Sequence, residues 1–233
     1  MVEQDTLDHS TSPEGNRIRV QLSEYQKRGL WLRWILATAL GATGGSAIFQ
    51  ALRQRSFSFA WVVGLGLFGL AIGLAQSLVL ERLFRQSSKL VQIGLFCQWT
   101  LTCSVGWMTG GLAGFVVPVA AWLFLAFTVN VDYTWIHRPG YYVHWGSLIS
   151  LGALAVSIVQ RRILHTRINS VTEWVGTSII GWIVAWAVGL GAVHITPGSE
   201  LVKAAVGGVI GGAIVGALTG YALVRLLADS ARR

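Results

Sequence analysis

Six stretches of the chain contain no Asp, Glu, Lys or Arg: residues 34–52, 56–80, 90–131, 139–160, 174–199 and 204–224. Roughly 20 apolar residues cross a bilayer as a helix, so windows of this length restrict the chain to a polytopic membrane protein. Composition points the same way. Only 12% of residues are charged, about half the share a soluble domain uses to meet water. A soluble globular enzyme and a disordered chain are both excluded.

The net charge of +8 does not mark a nucleic-acid binder, whose cations gather in a stripe. Here they sit at the ends of the apolar windows, as the positive-inside rule requires. The partner predicted by composition is the lipid bilayer, with no nucleic acid. Residues 1–29 read as a polar cytoplasmic tail, with residues 16–28 able to form a short surface helix on anionic lipid. Residues 30–228 form the membrane domain and 229–233 a short cytoplasmic C-terminus. No signal-peptide core precedes the first window, so the first span is expected to act as its own insertion signal.

The window 90–131 is long enough for one pass or two. With one pass there are six spans, and 14 of the 18 Lys and Arg fall on the inner side. With two passes the split is 10 against 8. Because topology follows this bias, six spans with both termini cytoplasmic is the prediction. A straight helix over the whole window would be about 60 Å long, roughly twice the hydrocarbon thickness. A break is therefore expected near Gly110, Gly111, Gly114 or Pro118, followed by an interfacial or re-entrant segment around 116–136. Cys97 and Cys103 lie too far apart on one helix for a disulfide and read as small buried hydrophobes.

Three odd-numbered spans open alike. Trp34, Trp99 and Trp174 are followed four residues later by Thr38, Cys103 and Ser178, and seven residues later by Gly41, Gly106 and Gly181. The even spans close alike, with Gly73, Gln76, Leu80 and Arg82 matching Ser157, Gln160, Leu164 and Arg167, and Gly216, Thr219, Leu223 and Arg225. The chain therefore reads as three repeated helical hairpins. Each leading Trp is expected at the inner interface, where indoles are favoured. Small residues at four-residue spacing let helix backbones approach: Gly41 and Gly45, Gly106 and Gly110, Gly181, and the stripe Gly208, Gly212, Gly216 and Gly220. These faces serve helix packing or docking, the latter by self-association or a partner subunit. Gln50, Gln76 and Gln160 are expected to make interhelical hydrogen bonds.

Trp and Gly-Trp opening one helix, with Gly-x-x-Gln and Arg closing the next, resembles uncharacterised multi-pass membrane proteins common in cyanobacteria and related bacteria. The resemblance covers about 200 residues. In that family a Trp usually follows the Gln by about 14 residues; Gln160 and Trp174 keep this spacing, and Gln76 and Trp99 are nine residues further apart. The resemblance implies a plasma or thylakoid membrane, and it carries no activity or cofactor.

The windows hold no Asp, Glu, Lys or Arg at mid-membrane depth of the kind that proton-coupled carriers use, and no nucleotide-binding, zinc-protease or serine-hydrolase signature. No catalytic residue is predicted. One segment stands out chemically. His137 and His144 are candidates for cofactor binding, with Asp132 as a possible helper, and Asp132, Trp135, Arg138, Tyr141, Tyr142 and Trp145 are candidates for docking at the outer face. The alternative there is an aromatic belt with incidental histidines.

The sequence thus predicts an all-α membrane protein of six helices. Its expected role is non-catalytic, as an accessory, assembly or scaffold subunit of a larger membrane complex. The second reading is a passive channel or facilitator for a small solute, oligomeric through its glycine faces. A continuous polar path along the bundle axis would favour the channel, and a filled axis the scaffold.

Overall fold

The computed structural model describes residues 23–54, 60–84, 89–129, 139–165, 168 and 171–231, almost all of them helical. Six helices follow one another: α1 (Glu24–Arg53), α2 (Ala60–Leu83), α3 (Lys89–Val129), α4 (Pro139–His165), α5 (Thr172–Ile195) and α6 (Glu200–Ala231). Each is long and apolar enough to cross a membrane. In hydrocarbon a chain must satisfy its own backbone polar groups, and a helix does so within one segment.

Local chemistry sets several helix ends. Ser23 caps α1, its Oγ accepting the Gln26 N–H at 3.3 Å while Gln26 Oε1 accepts the Ser23 N–H at 2.9 Å. This reciprocal pair satisfies two otherwise orphan donors and starts α1 at Glu24. Residues 24–28 thus continue into the first span and do not belong to a separate surface helix; residues 16–22 lie outside the described residues. Between α5 and α6, Pro197 biases Thr196 towards its extended conformation (ψ 120°). Gly198 turns the chain at φ 115°, a conformation that suits glycine.

Each helix packs against its neighbours in chain order, and α6 returns to pack on α1, so the six close into a ring. All six contacts that build the ring join consecutive helices or its two ends. Glycine contacts fix the direction of several of them. Gly41 lies against Ile72 and Gly45 against Phe68. Gly69 lies against Cys103 and Gly73 against Thr100. Gly106, Gly110 and Gly114 meet Val156, Gly152 and Leu148. In each case the partner's number falls as the glycine's rises, the mark of antiparallel neighbours. One end of the ring therefore holds the starts of α1, α3 and α5; we call it the N-terminal end. Among the described residues, Lys27, Arg28, Arg33, Arg82, Lys89, Arg161, Arg162 and Arg225 lie at or near that end, and Arg53 and Lys203 at the far end.

The expected break in the third window is absent: α3 runs unbroken from Lys89 to Val129. The glycines expected to bend it instead bring neighbours close. Gly110 meets the backbone of Gly152, Gly111 the side chain of Leu65, and Gly114 the backbone of Leu148. A proline inside a membrane helix is tolerated where its surroundings re-satisfy the freed backbone groups, and the helix passes through Pro118.

The ring is apolar outside as well as inside. Leu36, Leu40, Leu78, Leu101, Ile180, Val188 and Val209 are exposed, as lipid-facing residues should be. The chain has the make-up of an integral membrane protein.

Candidate functional site

The most distinctive chemistry of the ring lies on its axis. Trp34, Trp99 and Trp174 are buried to within 1% of their surface and meet edge to face, with ring centroids 6.0, 6.1 and 6.2 Å apart. Edge-to-face aromatic pairs contribute about 0.5–1.5 kcal/mol each beyond area burial. These residues are not the interfacial anchors expected from sequence. They point inward and close the axis.

Each indole N–H finds an acceptor on the helix that precedes its own around the ring. Trp99 donates to Gln76 Oε1 at 3.1 Å and Trp174 to Gln160 Oε1 at 3.2 Å. Trp34 donates to Thr219 Oγ1 at 2.9 Å. The two glutamines also donate. Gln76 Nε2 reaches Thr38 Oγ1 at 3.0 Å, and Gln160 Nε2 reaches Cys103 Sγ at 3.2 Å. A glutamine amide thus bridges the Trp of one odd helix to the small residue four positions past the Trp of the preceding odd helix. Gln76 and Gln160 make the interhelical bonds expected of them.

The third such position has Thr219, which spends its hydroxyl proton on the Val215 carbonyl at 2.7 Å. It is also too short to reach Ser178, the counterpart of Thr38 and Cys103. Among the described residues, Ser178 Oγ is the one fully buried side-chain polar atom with no hydrogen-bond partner. A single Gln-to-Thr difference in the pattern accounts for it.

A second aromatic layer lies toward the far end. Trp107 and Trp182 are eight residues past Trp99 and Trp174, about 12 Å further along their helices. Their centroids are 4.7 Å apart, and Phe68 packs at 5.0 and 5.9 Å from them. The corresponding residue on α1 is Ala42. Beyond this layer, toward the far end, a cavity of about 260 Å³ opens, lined by residues from all six helices. Sequence reading missed this cavity, although the missing third Trp, Ala42 after Trp34, was its signal.

Among the described residues the cavity wall is apolar apart from the indole N–H groups of Trp107, Trp182 and Trp186 and two side chains of α1, Ser46 and Gln50. Ser46 and Gln50 are four residues apart and so share one helix face. Unlike Gln76 and Gln160, Gln50 makes no side-chain hydrogen bond among the described residues, and neither does Ser46. Thr38, Thr43, Ser157 and Thr219 all bond back to their own helix.

The glycines singled out from sequence pack within the ring. A Cβ on Gly208, Gly212, Gly216 or Gly220 would come within 2.7 to 3.0 Å of α1, so α1 already covers that stripe. Gly41 lies as close to the α2 backbone, Gly45 to Phe68 of α2 and Gly106 to α4, while Gly110 meets the Gly152 backbone. Gly181 has ordinary contact with Leu218 at 3.6 Å. Cys103 is buried as expected, whereas Cys97 is exposed on the outer surface of α3. Neither takes part in a disulfide.

Asp132, Trp135, His137 and Arg138 lie outside the described residues. Tyr141, Tyr142, His144 and Trp145 belong to the first turns of α4, but their side chains also lie outside the described set. Among the described residues no three His, Cys, Asp or Glu side chains gather into a metal-binding group. No protein-family model, curated protein or solved structure matches the chain.

Proposed function

We propose that this chain is a non-conducting, non-catalytic membrane protein serving as an accessory or assembly subunit of a larger membrane complex. The observation that carries this reading is the filled axis. A solute following the axis would meet Trp107, Trp182 and Phe68, then the triad Trp34, Trp99 and Trp174. Conduction paths are lined by polar rings or by narrow gates that open; six interlocked aromatic side chains, the triad among them tied by indole hydrogen bonds, resemble neither. The passive-channel alternative would need both layers to part.

Three copies of one Trp-opened helix pair, two closed by Gln and the third by Thr219, account for this core, as the spacing in the sequence suggests. The cation distribution supports both termini on the cytoplasmic side, in the plasma or thylakoid membrane that the family resemblance implies. Because α1 covers the glycine stripe of α6, self-association through that stripe is not part of the proposal. Partners would dock on the lipid-facing exterior or on the segment containing Asp132 to Trp145.

The deciding experiment is gentle extraction from the native membrane, followed by mass measurement and identification of co-purifying chains. A large assembly with stoichiometric partners is expected. A lone monomer or homo-oligomer would overturn the subunit reading, and solute flux in liposomes would overturn the non-conducting one.

A further inference from the structure

We infer that the cavity at the far end of the ring binds a small neutral molecule with an apolar body and a single hydrogen-bonding head. Three observations converge on this. First, the cavity has the character of a ligand site: a mainly apolar wall with a few convergent polar groups. Its volume, about 260 Å³, exceeds that of the roughly 150 Å³ apolar cavity that takes up benzene. That space suits a body of one or two rings.

Second, the polar groups are unspent. Gln50 retains only 9% of its surface exposure, lines the cavity, and has no hydrogen-bond partner for its amide among the described residues. Ser178 Oγ being the one fully buried side-chain polar atom without a partner among the described residues, the Gln50 amide is reached from the cavity. A ligand carbonyl or hydroxyl there could take up its unused hydrogen bonds in mainly apolar surroundings. Ser46, one turn deeper on the same face, offers a second donor or acceptor.

Third, the site has a direction. Gln50 lies in the last turns of α1 at the far end, and Ala42, at the depth of Trp107 and Trp182, lies about 12 Å further in. The head would sit at Gln50 and the apolar body would rest on the indoles. Among the described residues no Lys, Arg or His lines the cavity, so a carboxylate or phosphate head would find no counter-charge among them and a neutral head fits best.

Benzophenone is a suitable probe: it is neutral, has two rings and one carbonyl, and forms crosslinks on illumination. Purified full-length protein in lipid nanodiscs would be titrated with benzophenone, illuminated, and its crosslinks located by mass spectrometry. Saturable labelling at cavity residues such as Leu148, Leu190 and Val193 is expected. Gly189→Phe should abolish it by filling the cavity, since a Cβ there meets nothing closer than Gly207 O at 3.5 Å. Gln50→Leu should raise the half-saturating concentration by about fivefold, the usual value of one hydrogen bond.

Gly191→Phe serves as the control, because a Cβ at Gly191 meets nothing within 4 Å; it should leave labelling unchanged. Size-exclusion profiles would establish that each variant is folded. Non-saturable labelling spread over lipid-facing residues such as Leu36 and Val188, indifferent to Gly189→Phe and Gln50→Leu, would overturn the proposal. So would an unlabelled cavity that simply holds water.

Discussion

At the residue scale, buried polar groups decide the core. Gln76 and Gln160 each satisfy an indole donor on one side and a hydroxyl or thiol on the other. Replacing either by Leu leaves an indole N–H without an acceptor, and interhelical hydrogen bonds in membranes contribute about 0.6 and at most about 1.7 kcal/mol. Gln76→Leu and Gln160→Leu should therefore each destabilise the fold by about 1–2 kcal/mol, measured by unfolding in mixed micelles. Ser178→Ala should behave oppositely. It removes a buried hydroxyl with no partner in the described structure, so stability should hold or rise by up to about 1 kcal/mol. A loss comparable to that of the glutamine variants would show that Ser178 has a partner after all.

At the element scale, lipid gives helices no hydrophobic reason to associate, so close backbone approach has to supply the attraction. The contact of α6 with α1 shows this best, and it makes a sharp contrast among glycines. A Cβ at Gly212 would fall 2.7 Å from the Ala39 Cα, and overpacking of this kind costs about 1–3 kcal/mol. Gly44 and Gly176 have nothing within 4 Å. Gly212→Ala should lower the thermal unfolding midpoint in detergent clearly, while Gly44→Ala and Gly176→Ala stay within about 0.5 kcal/mol of the parent. Equal effects at all three would mean that the α1–α6 contact is looser than described. The same glycine logic explains α3: where sequence suggested hinges, Gly110 and Gly114 instead let α4 approach.

At the scale of the whole molecule, an even number of antiparallel helices places Lys27 and Arg225 at one end of the ring and Arg53 and Lys203 at the other. Single cysteines introduced at these four positions, in a background lacking Cys97, should react with a membrane-impermeant maleimide in two pairs. Lys27→Cys and Arg225→Cys should share one side of sealed vesicles, and Arg53→Cys and Lys203→Cys the other. A split within either pair would refute six full crossings. The exposed Arg225–Glu173 contact at 3.4 Å adds little to this arrangement, because surface ion pairs contribute at most about 1 kcal/mol.

The sequence alone determined the class and count. Uncharged windows marked six spans, because the cost of placing charge in hydrocarbon writes membrane helices directly into the residue order. The recurring Trp, the small residue four positions later and the closing Gln stood out in the sequence as a spacing pattern, and interhelical hydrogen bonds were legible for Gln76 and Gln160, but the network that joins them was not. Which way those residues face was not legible. Lipid and protein interior are equally apolar, so hydropathy cannot tell the outer face of a membrane helix from the inner one. Hence Trp34, Trp99 and Trp174 read as interfacial, Cys97 as buried, and Gly110 and Gly114 as hinges. The cavity depended on the same missing information. Ala42 in place of a third inner Trp leaves space only because ring closure brings α1, α5 and α6 together around it, and that closure is a property of the folded chain.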